Sequence, residues 1–146
     1  MLNTATPSLS GLEFIKRYQG LSLEQYQDEE GLWVIGYGHL IRGHERFETA
    51  ITLYQAEMLF QQDVAEYQHL LHQYLQVPVS LRQFDALLSL AFSLGPEALQ
   101  QSPILHSINQ GQFAHAVAGW QREGKRRSSL AAERQAEAEL FQADIA

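Results

Sequence analysis

One stretch leaves few choices for the fold around it. Between Ser80 and Gly95, the residues Phe84, Leu87, Leu88, Ala91 and Phe92 are apolar nearly all round a helical wheel. A helix of that kind cannot lie on a surface, so the rest of the chain must wall it in on several sides. Ser80 and Gln83 form a capping box that starts it, and Gly95-Pro96 stops it. With 146 residues and 45% apolar content, one domain is long enough to supply those walls.

The walls can be read on both sides. Ser10 and Glu13 form a capping box ahead of Phe14 and Ile15, predicting a first helix that ends at Gly20. From Leu21 to about Leu40 the apolar period drops to two. Leu21, Leu23, Trp33, Ile35 and Tyr37 alternate, and Asp28-Glu29-Glu30-Gly31 supplies a turn. Gly36 and Gly38 leave one face of the second strand bare, so something can approach the backbone there. From Thr52, capped with Gln55, the residues Leu53, Ala56, Phe60, Val64, Tyr67, Leu71 and Tyr74 recur at steps of three and four. They predict one long amphipathic helix, ended by Pro78.

After the central helix, Ser102-Pro103 opens a short helix and Gly111 precedes another through Phe113 and Trp120. Ser128 or Ser129 is expected to cap a last helix ending near Phe141. The expected fold class is α+β, in a single domain over 1–146. A small lobe of about 10–51 carries a β-hairpin sheet, a connecting helix covers about 52–75, and a helical lobe covers about 78–146.

Charge and composition exclude several functions. The formal net charge is −7, which disfavours nucleic acid and anionic membranes as partners, because phosphate binding draws on Lys and Arg. The chain has no cysteine, hence no disulfide framework or thiolate chemistry. No stretch approaches the ~20 apolar residues of a membrane span. Residues 1–10 carry no basic segment of the signal-peptide kind, so a soluble protein is expected, cytoplasmic until released or exported by other machinery. No cofactor is implied. His69 and His72 have a helical spacing that permits metal ligation, but no third ligand is evident and a solvated helical face is the expected reading. Nothing in the charge pattern calls for a multimer, so a monomer is expected.

The run Gly11-Leu-Glu-Phe-Ile-Lys-Arg-Tyr-Gln-Gly-Leu-Ser-Leu-Glu-Gln-Tyr-Gln-Asp-Glu-Glu-Gly-Leu-Trp-Val-Ile-Gly-Tyr-Gly-His39 resembles the active-site segment of phage lysozymes, glycoside hydrolase family 24. Gln83-Phe-Asp-Ala-Leu-Leu-Ser-Leu-Ala-Phe-Ser-Leu-Gly95 is similar to the family's central buried helix, and Ser129 to Phe141 to its closing helix. The resemblance implies a two-lobed fold whose cleft binds the peptidoglycan glycan strand. It also implies a glutamate at the end of the first helix as proton donor, an aspartate in the hairpin, and a threonine in the next strand that helps place the attacking water. On this chain those positions fall on Gln19, Asp28 and Val34; only Asp28 matches. An arginine one turn into the closing helix, which in the family faces the glutamate, falls here on Glu133, with Arg134 beside it.

These departures bear directly on chemistry. Glycoside hydrolysis of this type needs an acid that holds a proton near neutral pH and a carboxylate assisting from the other side. A glutamine amide has no proton to release, and losing a general acid costs about 10²–10⁴ in rate. The expected function is therefore a lysozyme-like protein without hydrolysis, acting as a glycan-binding or protein-binding module. The alternative is an active muramidase, either with Gln19 as an engineered trap or with Glu133 and Asp28 as a new acid pair. Glu13 is expected to be only a helix cap, and Glu29 and Glu30 a solvated turn. Trp33, Tyr37 and His39 are candidate glycan-binding residues; for His39 a core hydrogen bond to the hairpin is expected ahead of catalysis, and for Trp120 core packing is expected. Lys125-Arg126-Arg127 is expected in a loop, open to an acidic partner.

Overall fold

The computed structural model describes residues 5–126 and 128–145, so Arg127 lies outside the described residues. Helix α1 (Leu9–Gln19) is followed by strands β1 (Ser22–Gln27), β2 (Trp33–Gly36) and β3 (His39–Leu40). Then come α2 (Leu53–Tyr74), α3 (Leu81–Leu94), α4 (Pro96–Gln100), α5 (Pro103–Asn109), α6 (Phe113–Arg126) and α7 (Ala131–Gln142). A 3₁₀ turn, Ser128–Leu130, leads into α7. The fold is α+β, as the patterning predicts. The sheet has three antiparallel strands in the order β1-β2-β3, one more than a hairpin. Its register pairs Tyr26 with Val34 and Val34 with Leu40.

The central helix is enclosed as expected. Every residue of α3 from Gln83 to Phe92 is buried, and Phe84, Leu87, Leu88 and Leu90 are wholly so. Phe92 meets Phe60 and Tyr67 of α2 with ring centroids 5.4 and 5.2 Å apart, and Trp120 of α6 meets Phe141 of α7 at 5.0 Å. Truncating one of these side chains would cost about 2–5 kcal/mol, since a close-packed core collapses only partly around the cavity. A smaller cluster, Ile35, Ile51 and Ala56 with Leu23 and Phe47 against it, lies between the sheet and the start of α2. Helix α2 therefore serves both lobes: Ala56 faces the small cluster, and Phe60, Val64 and Leu71 the large one.

The capping boxes expected at Thr52/Gln55 and Ser80/Gln83 are both present. Two other caps differ. Helix α1 begins at Leu9 and is capped by Ser8, whose hydroxyl accepts from the Gly11 N–H. Ser8 wins over Ser10 because Asp85, in α3, holds both the Ser8 N–H (3.0 Å) and its hydroxyl (2.6 Å). Gly11 is required there, since a Cβ would come 2.3 Å from the Asp85 carboxyl carbon. Helix α7 is capped by neither Ser128 nor Ser129: its N-cap is Leu130, with no side-chain cap bond. The Ser129 hydroxyl is used elsewhere, as described below. Lys125 and Arg126 sit in the last turn of α6 rather than in a loop, where their charge suits the helix dipole.

Candidate active-site cleft

Gln19 is the last residue of α1, and the chain leaves the helix at once through Gly20, at φ 72°. That abrupt exit fixes the direction of the Gln19 side chain. Its amide Nε2 donates to the Glu133 carboxylate at 3.3 Å and to the Ser93 hydroxyl at 3.4 Å. Ser93, at the end of α3, itself donates to the same Glu133 oxygen at 3.1 Å. The amide oxygen of Gln19 lies over Gly38, where an added Cβ would come within 2.2 Å of it. Gly36 and Gly38 do not share one bare strand face as expected: Gly38 lies in the turn between β2 and β3 against Gln19, and Gly36 packs against Ala56 and Ile51.

Asp28 opens the β1–β2 turn. Its Oδ1 accepts from the backbone N–H of Glu30 (2.9 Å) and Leu32 (3.0 Å), so the carboxylate is oriented by the turn it makes. Val34 is buried in β2. All four positions, Gln19, Asp28, Val34 and Glu133, line a single cavity of about 380 Å³, with Tyr18, Tyr26 and Phe92 among its walls. The positions that the resemblance groups into a site are therefore together in space.

Glu133 is 5% exposed. Burial pushes its carboxyl above the usual carboxylate range, and Arg134, Ser93 and Gln19 only partly oppose the shift. Behind it, Arg134 is 2% exposed and donates through Nη1 to Glu137, while its Nη2 lies 3.6 Å from Glu133 and has no hydrogen-bond partner among the described residues. Across the mouth of the cavity, the Ser129 hydroxyl donates to Glu29 at 2.8 Å. Glu29 is therefore not simply a solvated turn residue; it joins the two lips of the cleft.

Three expected site residues stand away from this cavity. Trp33 is half exposed and lines a separate groove with Ile41, Arg42 and Arg46. Tyr37 packs edge-on against Phe60 at 5.6 Å, with the Lys16 ammonium 5.0 Å from its ring. His39 is buried between two carboxylates: Nδ1 faces Asp63 of α2 at 2.8 Å, and Nε2 faces Glu45 at 3.0 Å. With an acceptor on each side, the imidazolium form donates from both nitrogens. Burial opposes that charge, but Asp63 and Glu45 outweigh it and raise the His39 pKa. His39 is held by core bonds, but to Asp63 of α2 and Glu45 of the loop after β3 rather than to the hairpin as expected. His72 is not on a solvated face, since it bonds the Ala5 carbonyl oxygen and lies against Phe84. Among the described residues no group of three or more His, Asp or Glu side chains is arranged to hold a metal ion.

Sequence reasoning missed Ser93 and the partners of His39. Ser93 had no signal beyond its place two residues before Gly95. Asp63 left a faint one: a carboxylate on the apolar stripe between Phe60 and Val64.

A helix ending at a small antiparallel sheet, a long shared helix, an enclosed central helix and a cleft between the lobes define a lysozyme-like protein. Comparisons with known proteins agree. Residues 16–137 match the family model described as phage lysozyme. The endolysin of Acyrthosiphon pisum secondary endosymbiont phage 1 is 37% identical over 143 residues, an alignment covering 92% of this chain and 97% of that protein. Among solved structures, the endolysin from Escherichia coli O157:H7 phage FAHEc1 aligns with TM-score 0.81 at 27% identity, covering 99% of this chain and 98% of that one. The muramidase domain of SpmX from Asticaccaulis excentricus aligns with TM-score 0.79 at 29% identity, covering 94% and 97%. The chain belongs to the phage lysozyme family.

Proposed function

We propose that this member of the family holds a peptidoglycan glycan strand in its cleft without cleaving it. The observation that carries the reading is the hydrogen bond from the Gln19 amide to Glu133, at the position where the resemblance expects an acid. An amide so placed can position a sugar or a neighbouring side chain, but it has no proton to give to a glycosidic oxygen. Val34 adds a methyl where the resemblance expects a hydroxyl, so the attacking water loses a partner. Asp28 alone offers one carboxylate to a mechanism that requires two.

A second reading keeps hydrolysis and moves the acid to Glu133. In its favour, Glu133 lines the same cavity as Asp28, and burial raises its pKa. Against it, the Glu133 oxygen nearest Gln19 already accepts from two side chains, which favours the carboxylate over the acid.

Clearing of a permeabilised bacterial suspension separates the two. The unmodified chain is expected to give none. Clearing that disappears in Glu133→Gln would establish the second reading and end the first. The Gln19→Glu variant is expected to recover little, because Val34 and Glu133 still depart from the family pattern. Gln19→Glu combined with Val34→Thr and Glu133→Arg is expected to recover far more. Retention of glycan fragments by the unmodified chain completes the test.

A further inference from the structure

The charge of the cleft is one-sided. Gln19 directs its amide donor inward to Ser93 and Glu133, and Ser93 also donates inward. The charged side chains that remain toward the cavity are acceptors, among them the carboxylates of Glu133 and Asp28. Asp28 accepts its turn bonds through Oδ1, and Oδ2 takes no part in that turn. The two acids sit on opposite walls, Glu133 on α7 and Asp28 on the β1–β2 turn. Among the described residues lining the cavity, Glu29 is also acidic and none is Lys, Arg or His. Arg134 stands behind Glu133, turned to Glu137.

Such a lining discriminates between amino sugars. A muramic acid unit brings a carboxylate, either its own lactyl group or, where that group is joined to a peptide stem, those of the stem; like charges in a partly desolvated cleft repel. A glucosamine that has lost its acetyl group brings an ammonium with three donors and no acceptor. Burial raises the Glu133 pKa, so an arriving ammonium would also offset the cost of holding that carboxylate ionised. The rings of Tyr18 and Tyr26 supply apolar faces for the pyranose CH groups.

We infer that the cleft selects glycan segments bearing free amines, namely N-deacetylated glucosamine, with Glu133 and Asp28 receiving the ammonium. The inference rests on reading the cleft as a glycan groove and adds which glycan it takes.

Titration calorimetry with three probes at a mildly acidic pH, where the amines are protonated, tests it: a glucosamine tetramer, the N-acetylglucosamine tetramer, and tetralysine. The glucosamine tetramer is expected to bind at least about tenfold more tightly than either other probe, as one or two charge-assisted hydrogen bonds would give. Added salt should reduce that margin. Glu133→Gln and, separately, Asp28→Asn should each lose most of the preference for the glucosamine tetramer over the N-acetylated tetramer. Near-UV circular dichroism establishes that each variant is folded.

Equal or tighter binding of the N-acetylated tetramer overturns the amine selection but leaves the glycan groove standing. Binding of neither sugar overturns both. Tetralysine binding as tightly as the glucosamine tetramer overturns the inference as well, because the cleft would then be reading charge alone. So would a preference that survives in both variants.

Discussion

Helix α7 carries two glutamates one turn apart, Glu133 and Glu137, and both are buried, with 5% and 0% of their surface exposed. Their surroundings differ. Glu137 is satisfied from three directions: Trp120 donates its indole N–H at 3.1 Å, Ser89 its hydroxyl, and Arg134 its guanidinium. Each donor comes from a packed helix, so the carboxyl is part of the core. Glu133 receives longer bonds, at 3.1 and 3.3 Å, and faces a cavity. Residue type, helix and burial are shared, so none of them separates a structural acid from an available one. What separates them is whether packed neighbours use the whole of its capacity.

The comparison breaks most easily at Glu137. Replacing it by alanine leaves Arg134 buried without its main partner, and breaking a buried pair from one side costs about 3–5 kcal/mol. Urea denaturation should show that loss; a loss below about 1 kcal/mol would mean the core does not depend on this carboxyl. Burial pushes the Glu137 pKa up to about 8, with Arg134 opposing. Because the folded value exceeds the unfolded one, its stabilisation is complete at pH below about 4.5 and declines as pH rises toward 8. Glu137→Gln should remove that slope and keep most of the stability, since its amide oxygen can accept from Trp120 and Arg134 and its NH₂ can donate to Ser89.

His39 gives a second pH dependence of the same sign, next in size. Its raised pKa makes its contribution complete below about pH 6.5 and lost as pH rises through the folded value. Asp63→Asn should cost about 1–3 kcal/mol at pH near 6, the worth of a hydrogen bond to a charged group, and less in alkaline solution. Thermal melts of the parent, Asp63→Asn and Glu137→Gln across pH would assign each slope to its residue.

What could be read in the sequence follows the same division. The enclosed α3 helix and the two capping boxes were legible, because each depends on residues within a few positions of one another. So were the places of Gln19, Asp28, Val34 and Glu133, through the resemblance. The start of α1 and the cap of α7 were not. Local rules offered Ser10 and Ser129, but Asp85 and Glu29, 77 and 100 residues from the serines they bind, decided otherwise. Trp33, Tyr37 and His39 looked like cleft residues because alternation gives the face of a strand but not what packs on it. Asp63 and Glu45, which claim His39, come from elements whose meeting no local pattern states.

Glu133→Gln sharpens the comparison from the other side. Its amide oxygen can still accept from Gln19 and Ser93, and removing a desolvated charge offsets the loss of the 3.6 Å contact with Arg134. Stability should stay within about 1 kcal/mol of the parent, the range of neutral hydrogen bonds. A loss as large as that of Glu137→Ala would make Glu133 a core residue and remove the distinction between them.

The smallest effect is expected at the lip. Ser129 and Glu29 are both exposed, and their 2.8 Å bond joins the turn before α7 to the β1–β2 turn. Water replaces either partner readily, so Ser129→Ala should change stability by no more than about 0.5 kcal/mol. Its consequence belongs to the cleft: without the bond the two lips are tied by one contact fewer, and hydrogen exchange of the Glu29–Leu32 amides should quicken. Unchanged exchange would mean that the Asp28 turn holds itself through its own two backbone bonds. The orientation of the one carboxylate that matches the family pattern would then be a local property of β1 and β2, independent of the helical lobe across the cleft.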